Sequence, residues 1–356
     1  MNQNKTYIWC CDFAINRGEG ILANLYLKKI SKYLNTKEII IENLVDKEIT
    51  TKNNLKKIFI NKKNINHTFL YKYFSPIMGI IKIWIKYIRG HNVAYINFLP
   101  LWNFFLWSFL PKKTILGPVT GDIYIKKISS VDSFFRKYLL NFFCHISVIF
   151  IKKKFKSLIF STDLLKNFID KKIGKNKFVY NFQLTELKKL SKIKIKKIDI
   201  IFYNRNHSNK ENEKIIKLLR TLKSDFDVRI VGDFLYGFKN YGIISRNKLN
   251  KILSKTKIVI GTSENVYSFF IIDAISNNCF INLDVNKKKN VKYFKKNFVF
   301  SNLNNLKKTK IIFKAFLKKN KTHHLKDINK SFLKINRINR KIDSIIKKNI
   351  SQLKSI

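Results

Sequence analysis

The chain has 356 residues, 46% of them hydrophobic and 31 of them Phe, which excludes a disordered basic tail and suits one long or two ordinary α/β domains. Its 72 Lys and Arg against 22 Asp and Glu give a formal charge of +50, which taken alone points to nucleic acid or an acidic membrane surface. The Lys is spread evenly, however, and travels with heavy Asn, Ile and Phe use. A/T-rich coding alone accounts for much of that profile, and the concentrated patch of a specific nucleic-acid binder is missing.

Cys10, Cys11, Cys144 and Cys279 form no Cys-x-x-Cys pair and no metal spacing, which fits a reduced, cytoplasmic setting. His323-His324 reads as part of a solvated Lys-rich face. Asp12 interrupts the only early apolar run, so the N-terminus lacks a signal-peptide layout.

In chain order, short β-rich runs alternate with helical patterns, the signature of parallel α/β sheets. Strands are expected at Thr6–Asp12, Glu38–Glu42, Lys57–Ile60, Val93–Phe98, Thr114–Leu116, Ser157–Phe160 and, as a final extended piece, Phe178–Phe182. Helices are expected between them at Gly20–Leu34, Tyr71–Ile88, Leu101–Leu110, Val131–Lys152 and Asp163–Lys171. The apolar runs Ile96–Leu110 and Phe134–Ile151 are too short or too charged to span a bilayer, and core packing is their expected role.

Residues 1–184 therefore read as a first Rossmann-like lobe, and Lys-rich 185–197 as a linker. A second lobe follows over 198–320. Its strands are Asp199–Tyr203, Asp227–Val231, Ile258–Gly261 and Cys279–Leu283, and its helices Glu211–Lys223, Arg246–Ser254 and Ser268–Ser276. Residues 321–356 form a helical tail. Ile335, Ile338, Ile342, Ile345, Ile350 and Leu353 recur at helical spacing there, giving an amphipathic helix expected to pack on a lobe. Two such lobes imply an interlobe cleft.

The chemistry-bearing residues sit at strand ends. The first strand of the second lobe delivers Arg205 and Lys210 to its C-terminal loop, and Glu264 and Asp273 flank a later helix start. Cations there are suited to a diphosphate, bound or departing. The run Asn204-Arg205-Asn206-His207-Ser208-Asn209-Lys210 resembles the Gly-Arg-(four residues)-Lys pattern of the family-four retaining enzymes among the GT-B glycosyltransferases, with Asn for Gly.

Val231-Gly232 and the run Asn240-Tyr241-Gly242-Ile243-Ile244-Ser245-Arg246, followed by Leu249 and Leu253, are similar to the family's segment whose loop lies along the nucleotide base, where backbone amides do most of the work. Thr262-Ser263-Glu264 through Ser268 to Asp273-Ala274 resembles its Glu-(seven residues)-Glu-Ala motif, with one residue more between the acids and Asp as the second acid. The resemblance puts Glu264 near the donor sugar and Asp273 on the ribose.

In the first lobe Gly117-Pro118-Val119-Thr120-Gly121-Asp122 is similar to the family's Gly-Pro-x-Gly-Gly cleft loop. Thr120 and Gly121 would face the donor, and Asp122 an acceptor hydroxyl. Gly18 and Gly20 permit close approach of an anion to the first helix N-terminus.

The resemblance implies a glycosyltransferase that moves a sugar from a nucleotide-diphosphate donor to a glycan or lipid-linked acceptor with retention. No metal or cofactor is expected. Its setting would be cell-surface polysaccharide assembly at the cytoplasmic side of an anionic membrane, with no specific nucleic acid. Two alternatives stand beside it. Gly18-x-Gly20-x-x-Ala23 with Glu42 fits a dinucleotide fingerprint and an NAD-dependent enzyme, although Glu19 between the glycines repels a pyrophosphate. The altered acidic motif fits a non-catalytic GT-B-like binder. Asp225-Phe226-Asp227 precedes its strand, so it reads as a turn and not as a metal-binding Asp-x-Asp.

Overall fold

The computed structural model describes residues 5–12, 18–51, 53–54, 69–120, 131–155, 157–161, 178–180, 195–205, 212–261, 266–291, 293–318 and 325–351. The chain divides into two compact units, 1–185 with 337–356, and 186–336.

Unit 1 holds a five-stranded sheet of β1 (Lys5–Trp9), β2 (Glu38–Glu42), β3 (Lys47–Thr50), β4 (Asn92–Tyr95) and β5 (Ile115–Leu116), in the order β3-β2-β1-β4-β5. All neighbours are parallel except β3, an antiparallel edge. β6 (Leu158–Phe160) and β7 (Phe178–Tyr180) make a separate parallel pair, which a bridge from Val119 to Phe160 joins to the strand-end loops. The helices are α1 (Gly18–Ile30), α2 (Phe69–Ile88), α3 (Phe104–Phe109) and α4 (Val131–Lys154).

β1 is buried almost throughout, as a strand covered on both faces must be. Two glycines permit this packing. A Cβ on Gly117 would lie 1.8 Å from the Ile96 carbonyl oxygen, and one on Gly79 of α2 would lie 2.5 Å from the Trp9 indole nitrogen. Cys10, Cys11 and Cys144 are buried here as thiols, as is Cys279 in unit 2.

Unit 2 is a six-stranded, all-parallel sheet of β8 (Ile198–Asn204), β9 (Val228–Gly232), β10 (Lys239–Asn240), β11 (Thr256–Ile260), β12 (Phe280–Asp284) and β13 (Phe298–Ser301). The order is β10-β9-β8-β11-β12-β13. α5 (Asn212–Leu222), α6 (Arg246–Leu253), α7 (Phe269–Ser276) and α8 (Leu306–Lys318) complete the layers. α5 buries Ile215, Leu218, Leu219 and Leu222, the i, i+3, i+4, i+7 stripe of a helix on a core. These meet Ile200 and Phe202 of β8 and Phe313 of α8. Asp225 accepts from Lys310 and Lys314, and Asp227 from Arg229. Cations hold the Asp-x-Asp as a helix-to-strand turn.

α9 (Leu325–Ser351) starts in unit 2 and ends in unit 1. It buries Phe332, Ile335, Ile342, Ile346 and Ile350. Phe332 meets Phe294 edge-on at 5.5 Å, Asp343 accepts from Lys29 Nζ at 2.9 Å, and Asn349 Oδ1 accepts from the Ser157 hydroxyl at 2.9 Å.

Several expected elements need correction. The helix expected at Leu101–Leu110 shortens to α3, because Asn103 caps it by accepting from Leu106 N–H. β3, β10, β13 and α8 were not expected. The strand expected at Lys57–Ile60 and the helix at Asp163–Lys171 fall outside the described residues, as does most of the 185–197 linker.

Candidate functional site

In each unit the first strand has a later strand on each side, because the chain builds outward on one side and then crosses to the other. In unit 2, β8 leads to β9 on one side and to β11 on the other, so strand order reverses between β8 and β11. In unit 1 the same reversal lies between β1 and β4. Ligands of open parallel sheets bind where strand order reverses, outside the carboxyl ends of the strands.

At the unit 2 switch point, β8 ends in Asn204, which is 1% exposed. Its carbonyl accepts from Asp233 N–H at 2.9 Å and its Nδ2 donates to the Asp233 carbonyl at 3.1 Å. This clamp turns the next residue, Arg205, outward at the carboxyl end of the strand, where it is exposed. Gly232 ends β9 at φ +98°, and a Cβ there would lie 2.1 Å from the Asn204 carbonyl oxygen. Gly232 N–H donates to the Gly242 carbonyl at 3.0 Å and Tyr241 N–H to the Ile230 carbonyl at 2.9 Å. The 240–242 backbone is thereby laid along the end of β9.

Gly242 has φ +68° with open space around it, and the neighbouring Ile243 is exposed. The Tyr241 hydroxyl accepts from Arg229, whose guanidinium lies 5.9 Å from the Tyr241 ring centre and is anchored by Asp227.

Two helix starts complete this end of the sheet. Ser245 caps α6 and Ser268 caps α7, each accepting a backbone N–H three residues on. Asp273, 4% exposed on α7, receives both arms of Arg246, the first residue of α6: Nε at 2.7 Å and Nη2 at 2.6 Å. Burial raises the Asp273 carboxyl above its ordinary value, and Arg246 pulls against that rise. Arg246 also lies 5.3 Å from the Phe269 ring centre. Lys210 and Glu264 lie outside the described residues, as do Gly121 and Asp122 of the unit 1 loop.

The unit 1 switch point is acidic. Asp12, just beyond β1, is 1% exposed. Asn97, just beyond β4, reads its main chain on both sides, accepting from Asp12 N–H at 3.4 Å and donating to its carbonyl at 2.8 Å. Phe98 then takes φ +53°, the left-handed region that non-glycine residues seldom enter. Gly18 and Gly20 bracket Glu19 in the first turn of α1.

The Glu19 residue is half-buried, but its Oε2 is shut off from solvent with no hydrogen-bond partner among the described residues. Burial pushes this carboxyl up to about 7. Phe98 N–H holds it down, the nearby Asp12 charge adds to the rise, and the Thr120 hydroxyl holds it down in turn. Thr120 is buried, and its backbone is pinned between Leu99 and Leu101.

The structure thus gathers Gly18, Gly20 and Thr120 at one switch point. It gathers Arg205, Gly232, Tyr241, Gly242, Ile243, Ser268 and Asp273 on the strand-end side of the other unit. Sequence reasoning gave no role of its own to Glu19 or to Arg246. Glu19 had a signal, a carboxylate between two glycines at a helix start, which was weighed only as a repellent of pyrophosphate. Arg246 closes the run that resembles the family's nucleotide loop, but nothing in that run pointed to Asp273 as its partner.

No family model matches the sequence, and no curated protein does. Among solved structures, HepE of Anabaena in complex with UDP-glucose superposes with a TM-score of 0.55 at 12% identity, over 99% of this chain and 100% of that one. T4 phage BGT in complex with UDP and Mn2+ (TM-score 0.46, 14% identity, 97% and 99% covered) and Acinetobacter baumannii MurG (0.45, 8%, 97% and 99%) superpose too loosely to carry an argument. The match to HepE over the full length, together with two parallel sheets that each reverse strand order beside their first strand, gives the chain the GT-B glycosyltransferase fold.

Proposed function

We propose that this chain transfers a sugar from a nucleoside-diphosphate donor to an acceptor hydroxyl. The observation that carries the reading is Arg205, turned outward at the carboxyl end of the central strand of a parallel sheet, beside its switch point. In this reading Arg205 and Lys210 grip the donor diphosphate and stabilise it as it leaves, which is the work a divalent cation does elsewhere. The 240–243 backbone with Gly232 lies along the base. Asp273, held by Arg246, meets the ribose, Glu264 lies by the sugar, and Ser268 keeps the α7 start in place. Thr120, Gly121 and Asp122, with Gly18 and Gly20, serve the sugar and acceptor side.

The sugar C1–oxygen bond to the diphosphate breaks, a C1–oxygen bond to the acceptor forms, and the acceptor proton passes to the departing phosphate. That same-face route retains configuration. The acceptor is a glycan or lipid-linked saccharide, met at an anionic membrane during cell-surface polysaccharide assembly.

A second route is favoured by one observation, the sealed Oε2 of Glu19 on a carboxyl raised to about 7. A carboxylate tuned to that range takes a hydroxyl proton directly, and attack from the opposite face then inverts configuration.

Thermal stabilisation by UDP, GDP, ADP, CMP and NAD, repeated on Arg205→Ala and Lys210→Ala, tests the donor site. One nucleoside diphosphate at about a hundredfold over its Kd adds about 2.7 kcal/mol, and both variants lose that gain. Stabilisation by NAD alone instead supports a dehydrogenase. No stabilisation by any of them supports a binder without catalysis. Once a donor is in hand, the product anomer separates the two routes. Glu19→Gln costs about a hundredfold or more in kcat only if the product is inverted.

A further inference from the structure

α2 has two apolar faces. Gly79 and Ile83 face inward, where Gly79 meets Trp9. The opposite side presents Phe74, Ile77, Ile81, Trp84, Ile85 and Ile88, each between 39% and 78% exposed. That spacing is a continuous helical stripe, and it faces solvent. α3 exposes Phe105 and Phe109, and α4 exposes Phe134, Tyr138, Phe142 and Ile149.

The three stripes join. The Trp84 indole N–H donates to the Phe109 carbonyl at 2.7 Å. Phe109 stacks on Phe105 at 6.3 Å, Phe105 on Phe104 at 4.3 Å, and Phe104 meets Phe143 of α4 at 5.4 Å, which adjoins Phe142 at 5.9 Å. A dozen large apolar side chains in one connected surface exceeds what an ordinary soluble monomer leaves uncovered.

The charge around it is predominantly positive, with Asp132 in the first turn of α4 an exception. Residues 69–120, which include α2 and α3, carry six cations (Lys72, Lys82, Lys86, Arg89, Lys112 and Lys113) and no Asp or Glu, and α4 ends in Lys152, Lys153 and Lys154. The cations crowd one another. Burial and then the nearby Arg89 and Lys47 lower Lys86, and burial and then Lys86, Lys5 and Arg89 lower His91. Among these cations, Lys82 is offset by Glu42. Among the described residues no helix is long and apolar enough to cross a membrane, so this surface suits lying on one.

We propose that the α2–α3–α4 face of unit 1 docks on an anionic bilayer, its exposed rings and Ile side chains entering the headgroup boundary while the flanking Lys and Arg meet lipid phosphates. Charge complementarity selects this occupant over a second copy of the chain, whose own face carries the same positive sign. The proposal locates the membrane contact of the reading above without depending on its transfer chemistry, so vesicle binding and nucleotide binding fail separately.

The test is co-flotation of the full chain with phosphatidylcholine vesicles, with and without phosphatidylglycerol. It is repeated on the triple variant Ile77→Ser/Ile81→Ser/Phe105→Ser and on a control, Ile311→Ser/Leu333→Ser, whose residues are as exposed but lie elsewhere. The expected result is binding that needs phosphatidylglycerol, weakens with salt, falls about tenfold or more in the triple variant and is unchanged in the control. A variant-free readout accompanies it. Trp84 is the one exposed tryptophan, so brominated lipid should quench the wild-type fluorescence. Equal partition of triple variant and wild type overturns the proposal, as does absence of both flotation and quenching. Dimers that dissociate in the triple variant, without vesicle binding, overturn it in favour of a second copy.

Discussion

The two switch points share their geometry and differ in how they keep a carboxyl group inside protein. In unit 2, Asp273 is clasped by a two-armed Arg246 bond that opposes the rise burial imposes, and the strand ends around it are locked through Asn204, Gly232 and Gly242. In unit 1, Glu19 has one backbone N–H, one hydroxyl and a neighbouring Asp12, with no cation among the causes of its shift, so it is held by keeping its proton. A carboxylate clasped by a cation makes a rigid scaffold, whereas one without a cation makes a group that titrates near neutrality. The first suits grasping a ligand that arrives charged, and the second suits moving a proton.

The contrast can be broken first on its rigid side. Gly232→Ala adds a left-handed backbone penalty to a Cβ 2.1 Å from the Asn204 oxygen, for a loss of roughly 4 kcal/mol in urea unfolding. Gly242→Ala has the same handedness problem without a clash and should cost only about 1 kcal/mol. Equal losses would mean that the clamp at Asn204 is not what fixes this loop.

Arg246→Ala strands the Asp273 carboxylate where its side chain is 6% exposed. The expected loss is about 3 kcal/mol, recovered in part by Arg246→Ala/Asp273→Asn. A double variant no better than the single one would show that packing against Phe269, not the ion pair, held the site.

A pH-dependent effect sharpens the acidic side. Below the ordinary Glu value of 4.5 the Glu19 carboxyl is protonated folded or unfolded. Between 4.5 and about 7 the unfolded chain ionises first, so the native state loses stability as pH rises. Above about 7 both states are charged and the loss is complete, at most about 3 kcal/mol. The difference in urea midpoint between wild type and Glu19→Gln should therefore move in the variant's favour across that window. Thr120→Val removes a hydroxyl that holds the group down, so it should shift the window upward. A difference that stays flat with pH would remove Glu19 as a proton carrier.

Much of this architecture was legible in the sequence because fully buried parallel strands are continuous apolar runs bounded by turns. Glu38–Glu42 matches β2 end for end, and the strands expected in the second lobe fall within two residues of β8, β9, β11 and β12. What was missed lacks that signal. β3 reads Lys-Glu-Ile-Thr on an antiparallel edge, β10 is two residues long, β13 follows a Lys-rich stretch, and α8 itself carries Lys at five of its thirteen positions. The apolar runs Ile96–Leu110 and Phe134–Ile151, expected to be core, did supply core residues, but α3 and α4 there also expose apolar side chains, which periodicity cannot assign to protein or to lipid. At the site, residue types marked Arg205, Gly232 and Asp273. The Arg246–Asp273 bond and the burial of Glu19 depend on elements far apart in the chain, and no local pattern announces them.

The cysteines have a practical consequence. All four thiols are buried, and burial pushes Cys144 up to about 12 and Cys279 up to about 11, with Cys10 and Cys11 raised as well. Thiolate is the reactive form, so maleimide should leave the native fold untouched. A single cysteine introduced at Ile88 or Phe109 would then carry the whole label, and an environment-sensitive dye could report on one chosen point of the surface with no cysteine-free parent to build first.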